Sequence, residues 1–567
     1  MAGLAASLGS GAMTNRISEI AHAQCIMVIG SNTPATHPIT GRRIDDALRN
    51  GARLIVVDPR ETDLCSKADN WLRIRPGTDV ALLNGMAQTI IRENLWDQDF
   101  VQNRCDGFDA LKSALMELDP DLAADITGVA SEQIAEAARM YATARPSTIL
   151  YAMGITQHSH GTDNVKALAN LALLTGNIGK PSTGVNPLRG QNNVQGACDM
   201  GALPNVFPGY QSVENEEIRR KFEKAWQCRL PASPGLRLTE VFEAVHDNKV
   251  KALYVMGENP VITEANARAV KRAIPHLDLF IVQDIFMTET AKLADVVLPA
   301  ASFAEKDGTF TNSERRVQRV RKVLEPKGAS RADWKIICDI ADQMQAEGFH
   351  FKNPREIMEE ISSVTPSYKG ITYERIEGVG IQWPCPDETH PGTPYLYAEK
   401  FATANGKGQL IPVAYVPSAE TTSREYPLIL TTGRSTFHYH ATLSRKVPGL
   451  NVLGGGEYVE INPADADELE LEDGETIRVI SKRGAVRTKA KVTDRTPPGV
   501  VFMTFHYHET PTNLLTNSVL DPVAKIPEYK VCAVKIEREI DYRRGRPEWG
   551  RGKSQRRNIS AWPPHFN

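Results

Sequence analysis

No two cysteines in this chain stand close enough to form a C-x-x-C, although there are eight: Cys25, Cys65, Cys105, Cys198, Cys228, Cys338, Cys385 and Cys532. Cys-ligated clusters and zinc knuckles take closely spaced thiolates, so the sequence offers no metal ligand set of that kind. Scattered single cysteines read instead as buried thiols in a reducing compartment. No apolar run approaches the roughly 20 residues that cross a bilayer, so no membrane span is expected. The Ala, Gly and Ser-rich start also lacks the Lys/Arg region that precedes a signal peptide's apolar segment. A cytoplasmic location is the default expectation, with an export signal further upstream left open. Charge of one sign is absent too. With 66 Lys and Arg against 69 Asp and Glu, no global field recruits nucleic acid or acidic lipid, and any anion must be held by local groups. Finally, no G-x-G-x-x-G follows a strand-like run, which disfavours a conventional NAD site.

The sequence is rich in alternating strand and helix signals. Its 567 residues, 41% hydrophobic and 24% charged, suit roughly three or four globular domains. Short apolar runs ending at Gly or Asp predict strands at Cys25 to Ile29, Leu54 to Val57, Thr148 to Ala152, Ala252 to Met256, Leu279 to Val282 and Val296 to Leu298. Between them lie segments of helical period. After Thr78, a candidate cap, Leu82, Leu83, Met86, Ile90 and Ile91 form one stripe. A second helix is expected to be capped near Thr162 or Asp163 and to stop at Gly176, ahead of Pro181. This alternation predicts an α/β fold with parallel sheets.

The chain also echoes itself. "MVIGSNTP" with "VVDPRETDLCSKAD" returns as "YVMGENPV" with "IVQDIFMTETAKLAD". Gly30 precedes Asp58 by 28 residues and Gly257 precedes Asp284 by 27, and each aspartate is followed by an Ala-Asp pair, Ala68–Asp69 and Ala294–Asp295. The spacing predicts a duplicated half-site with two nucleotide-binding edges at the carboxyl ends of strands, although Gly and Asp endings are common in α/β strands. The expected organisation is a first α/β domain over 1–188 and a second over 189–330. A helical and irregular connector over 331–420 and a β-barrel over 421–540 follow, then a basic tail over 541–567, disordered and either solubilising, partner-docking or nucleic-acid-binding.

The densest polar stretch is "NPLRGQNNVQGACDMG", residues 186–201. Arg189 stands there among Gly190, Gln191, Asn192, Asn193 and Gln195, with almost no aliphatic bulk. A guanidinium grips a small carboxylate with two parallel bonds, and amides can surround a heterocycle. A turn bracing two domains has the same composition. Two HYH patterns, at 438–440 and 506–508, read either as a metal site or as one wet face of a strand.

Together with "MGITQHSHGTDNVKALANLALLTGNIGKPSTGVNPLRG" before it and "ALPNVFPGYQ" after it, this stretch resembles the catalytic subunits of molybdopterin formate dehydrogenases, in particular the formate dehydrogenase H type. The likeness runs from Met1 to about Val534. In that family the motif around the metal-ligating residue reads Cys or selenocysteine, then His-Gly-Pro-Ser-x-Ala-Gly-Leu, and Met1, Ala2, Gly3 and Leu4 align with its last four positions. The resemblance implies that the ligand, its histidine and a four-cysteine [4Fe-4S] domain lie upstream of Met1, so the chain as written is expected to be inactive. No metal ligand is expected within it.

The implied cofactor is molybdenum or tungsten held by two molybdopterin guanine dinucleotides, one per duplicated half. Implied contacts are Gly30, Asn32, Asp58, Arg60, Gly77, Asp79, Gly154, Gln157, Gly190, Gln191, Asn192, Gly257, Asn259, Gln283, Asp284, Thr288 and Thr290, with Thr432, Gly433, Arg434, His438, Asn513 and Lys530 from the barrel. Asp58 and Asp284 can each accept from a guanine edge or a ribose, the glycines let backbone approach a diphosphate, and Thr288 and Thr290 can donate to it. The first HYH segment departs from the family's usual residues. Arg189 is the implied formate-orienting residue, and the implied partner is an electron-transfer subunit of diaphorase, ferredoxin or hydrogenase type. The alternatives are an inactive cofactor-binding remnant or another molybdopterin oxidoreductase, such as a nitrate reductase.

Overall fold

The computed structural model describes residues 1–439 and 444–539; His440 of the first HYH pattern and the basic tail lie outside the described residues. Strands β1 (Cys25–Ile29), β2 (Arg53–Val57), β3 (Asn70–Leu72), β4 (Ser147–Tyr151) and β5 (Val185–Pro187) form a parallel sheet in the order β3-β2-β1-β4-β5. Every residue of β1 and β4 is buried. Central parallel strands are covered on both faces, which is why they read as continuous apolar runs. Met27 and Ile29 face helices α1 (Asp79–Arg92) and α2 (Gly161–Leu174), packing with Leu82, Met86, Leu168 and Leu171. Ile26 and Val28 face the other way, onto Ile44, Ala47, Leu54 and Val56.

Both helix caps differ from expectation. The Thr78 hydroxyl donates to the Arg75 carbonyl at 2.7 Å instead of capping α1. Helix α2 begins at Gly161, and its free Thr162 amide donates to Asp521 Oδ2 at 2.9 Å, while the Thr162 hydroxyl donates to Asp521 Oδ1 at 2.7 Å. A carboxylate 359 residues away thus does the work that a local side chain was expected to do.

After helix α3 (Val194–Asp199) the second sheet follows, with β6 (Ala252–Met256), β7 (Leu279–Asp284) and β8 (Val296–Pro299) parallel in the order β8-β7-β6. The repeat extends to individual hydrogen bonds. Gly30 N donates to Val57 O at 2.9 Å and Gly257 N to Gln283 O at 2.8 Å. Leu54 N donates to Asp69 Oδ2 at 2.8 Å and Phe280 N to Asp295 Oδ2 at 2.7 Å. Both glycines have positive φ, +58° and +66°, where a side chain would be strained. The Ala-Asp pairs are therefore structural ties between neighbouring strands in each half.

Helices α4 (Asp333–Gln343) and α5 (Pro354–Val364) and an irregular stretch then lead to the barrel. The hairpin of Gly308–Thr311 and Arg316–Val320 pairs with Ile381–Gln382, tying the second half to this connector. Strands β9 (Leu428–Gly433), β10 (Tyr458–Ile461), β11 (Thr476–Ile480), β12 (Ala485–Val492), β13 (Val500–Thr504) and β14 (Cys532–Arg538) close a barrel in the order β9-β13-β10-β12-β11-β14. Its interior takes alternate residues such as Ile477, Val479, Val486 and Ala490. All eight cysteines are free thiols, and only Cys228 is exposed. Among the described residues no helix is long and apolar enough to cross a membrane.

Candidate active site

Two cavities open at the carboxyl ends of the two sheets, beside the Gly and Asp residues that end or follow their strands. The first, about 290 Å³, gathers Gly30, Asn32, Asp58, Arg60, Gly77, Asp79, Gly154, Gln157, Gly190 and Gln191, and the barrel closes it with Thr432, Gly433, Arg434 and Lys530. The second, about 430 Å³, gathers Gln191, Asn192, Gly257, Asn259, Gln283 and Asp284. Gln191 lines both. The segment that follows β5 and carries Arg189 is therefore the seam between two equivalent pockets. Arg434 in the first cavity lies 5.0 Å from the ring centroid of Tyr439 in the second, a further bridge across the seam.

Arg189 is half-buried. Its Nη2 donates to the Gly11 carbonyl at 3.3 Å, its own carbonyl is held by His37 Nε2 at 2.6 Å, and its Nε is buried with no partner among the described residues. Asn32 Oδ1 is likewise buried and unpartnered. Asp58 Oδ1 accepts from the Arg60 amide at 3.0 Å, and Asp284 Oδ1 accepts from the Phe286 amide at the same distance. In each half, backbone fixes one oxygen of the strand-end carboxylate.

Other expected contacts have different jobs. Two nitrogens of the Arg60 guanidinium, Nε and Nη2, donate to Glu460 of the barrel at 2.6 and 2.8 Å, and the group stacks 4.1 Å from the Phe502 ring, so Arg60 clamps two domains while lining the first cavity. Thr288 and Thr290 are fully buried and line neither cavity. Thr290 Oγ1 donates to Asn259 Oδ1 at 2.7 Å, and Thr288 Oγ1 accepts from the Ala291 amide at 3.0 Å, so both hydroxyls are engaged within the second half. Gln283 donates to Asp333 at 2.7 Å and accepts from the Tyr254 hydroxyl, so its amide shapes the wall. Asn513 donates to the Ile262 and Thr263 carbonyls at 3.0 and 2.9 Å and ties the barrel to the second half. His438 is buried beside Ser444, outside both cavities.

Several lining residues escaped the sequence reading: His37, His158, Phe502 and Phe505 in the first cavity, and Ser302, Lys306, Asp333 and Tyr439 in the second. Lys306 and Asp333 form an ion pair at the rim. Asp333 opens a helix that the sequence does signal, but nothing local says that this helix starts at a pocket.

Burial dominates the electrostatics of the first cavity. It pushes the Asp58 carboxyl up to about 6 and Asp79 up to about 7, and pulls His158 down to about 4 and Lys530 down to about 8. The raised Asp79 pKa gives a signed expectation for the cofactor-free protein. Asp79 holds its proton more tightly folded than unfolded, so it stabilises below about pH 4, and that advantage is lost as pH rises through about 7. Asp79→Asn removes this cost. In urea titrations the variant is expected to match the natural protein near pH 4 and to exceed it above pH 7, by up to about 4 kcal/mol.

Backbone closeness is the other constraint. A Cβ on Gly154 would stand 2.5 Å from Gly30 Cα. Gly154→Ala is expected to force the cavity wall apart, costing about 1–3 kcal/mol, as urea unfolding would read out.

Residues 4–343 match the molybdopterin oxidoreductase family, and residues 428–533 match the molydopterin dinucleotide binding domain. The F420-dependent formate dehydrogenase subunit alpha of Methanocaldococcus jannaschii is 52% identical over 94% of this chain and 80% of its own length. Formate dehydrogenase H of Escherichia coli is 43% identical over 96% of this chain and 77% of its own. Among solved structures, acetylene hydratase from Pelobacter acetylenicus superposes with a TM-score of 0.76 at 23% identity, covering 95% of this chain and 80% of that one, a likeness of fold. The duplicated half-sites, the barrel that closes one of them and these relatives agree: the chain belongs to the molybdopterin oxidoreductase family.

Proposed function

We propose that the chain is a formate dehydrogenase alpha subunit, oxidising formate to carbon dioxide with release of one proton and two electrons. The observation that carries this reading is the junction of the two cavities at Gln191, two residues beyond the Arg189 guanidinium. The residues present suit a molybdenum or tungsten bis(molybdopterin guanine dinucleotide). Unpartnered Asn32 Oδ1, carboxylates at both strand ends and the Gly30–Gly154 cradle are acceptors and close backbone that await a polar, donor-rich heterocycle. Asn32, Asp58, Asp79, Thr432 and Lys530 would hold one dinucleotide, and Asn192, Gly257, Asp284, Lys306 and Asp333 the other. When bound, that group supplies the two-electron redox chemistry.

The chain's own task is to bind and orient formate. The Arg189 fork presents two parallel N–H donors to the carboxylate, a charge-assisted pair that a planar guanidinium matches. Arg189 itself lines neither cavity, but Gln191, two residues on, brings amide donors to both cavities and Asn192, the next residue, to the second, and Leu188, Phe502 and Phe505 give the first cavity apolar surface that excludes water. An electron-transfer subunit of diaphorase, ferredoxin or hydrogenase type, reached through a [4Fe-4S] cluster, is the partner this reading implies, in the cytoplasm.

The test is a formate-dependent dye-reduction assay on the holoenzyme isolated from its natural source, not on the 567-residue chain alone, run beside a nitrate assay and metal and pterin analysis. Formate turnover with two dinucleotides per metal is expected. Nitrate turnover, or full cofactor content with no formate turnover, would overturn the reading.

A further inference from the structure

The polar stretch that carries Arg189 ends at Asp199, a residue to which the chemistry above gives no part. Asp199 closes helix α3 and is 1% exposed. Among the described residues no cation forms an ion pair with it, yet its two oxygens take four hydrogen bonds. Oδ1 accepts from Gln195 Nε2 at 2.7 Å and the Tyr210 hydroxyl at 2.9 Å, while Oδ2 accepts from the Tyr368 hydroxyl at 2.5 Å and Trp383 Nε1 at 2.7 Å. Gln195 and Trp383 nitrogens can only donate, and Tyr210 also accepts from Gln195 at 2.9 Å, so the arrangement is built around an acceptor-only carboxylate. Burying a charge with no counter-ion is costly, and these four donors are what offset that cost at Asp199.

Those bonds lead to Arg189 by two routes. Along the chain, Asp199 and Gln195 pin helix α3, whose start is fixed again by Asn193 Oδ1 accepting from the Thr311 amide at 2.8 Å. Across space, the Trp383 carbonyl accepts from Arg315, a fully buried guanidinium 5.6 Å from the Trp383 ring centroid. Arg315 also donates to the carbonyls of Met13 at 2.8 Å and Thr14 at 3.4 Å. Two residues before Met13 is Gly11, whose carbonyl accepts from Arg189 Nη2 at 3.3 Å. Asp199 thus pins the helix that follows the Arg189 segment through the Gln195 side chain, and through Trp383 and Arg315 it steadies the turn on which the Arg189 guanidinium rests.

We propose that Asp199 is a positioning residue that sets the orientation of the Arg189 guanidinium for its carboxylate substrate, an inference that rests on the formate reading for its functional consequence and on geometry alone for its structural one. Asp199→Asn keeps the volume but turns one acceptor arm into a donor facing donors. A crystal structure of the Asp199→Asn holoenzyme is expected to show Arg189 displaced from Gly11 O; an unmoved Arg189 would overturn the proposal whatever the substrate.

The functional arm is a double-mutant cycle on formate binding by calorimetry, with metal content and Tm measured on every sample. Asp199→Asn is expected to weaken formate binding roughly fivefold or more at unchanged metal content, with no further loss when added to Arg189→Lys, because both act through one group. Additive losses, or a fall in Tm with unchanged formate affinity, would mean a merely structural carboxylate and overturn the proposal. A natural enzyme that binds no formate would sink the formate reading instead and leave the crystallographic arm decisive. Should Asp199→Asn fail to fold, Tyr368→Phe removes one of the four donors and is read in the same way.

Discussion

Arg189→Lys raises the formate KM roughly 10- to 100-fold, measured by steady-state kinetics on preparations of equal metal content. The magnitude follows from what lysine keeps and what it loses. The positive charge remains, but the planar fork becomes a point donor, and one charge-assisted hydrogen bond worth about 1.5–3 kcal/mol goes. Lysine also has no second nitrogen, so Gly11 O and substrate would have to be reached by the three N–H groups of one ammonium at a single point. If kcat falls with KM unchanged, the guanidinium acts only as the bond breaks; if neither changes, Arg189 has no part in binding formate.

Glu460→Ala lowers the stability of the protein by about 3–5 kcal/mol, the cost of leaving a buried charge without its partner. Glu460 is fully buried and Arg60 nearly so, and their pair is the bidentate contact between the first sheet and the barrel. Arg495, 3.7 Å from the same carboxylate, is better exposed and can turn to water. Arg60 cannot, because it is stacked on Phe502 at the cavity wall. The double variant Arg60→Leu with Glu460→Leu is expected to lose much less, since removing both charges also removes the desolvation penalty. Urea unfolding of both variants beside the natural protein reads this directly. Equal losses in the single and double variants would show that packing, not the charge pair, joins the domains.

The sequence by itself determined the α/β class, the duplicated halves and the barrel, because these rest on local periodicity and on glycines and aspartates at strand ends. Strand β1 was legible to the residue, and Gly30, Gly257, Asp58 and Asp284 reappear as the matching ends of two matching sheets. The Arg189 segment was legible as polar for the same local reason: too little aliphatic bulk to fill a core.

Only the tertiary structure decided where side chains spend their hydrogen bonds. A threonine beside a helix start looks like a cap from sequence, yet Asp521 caps α2 from the barrel side. Arg60, Thr288 and Thr290 look like ligand contacts, and nothing in the sequence announces the bonds they make to Glu460, a backbone amide and Asn259 once the chain has folded. Likewise nothing in "GACDMG" announces that Asp199 meets Tyr368 and Trp383, which follow it by 169 and 184 residues. Periodicity is local and survives in one dimension. The satisfaction of buried polar groups is a long-range condition, met only when distant segments arrive together.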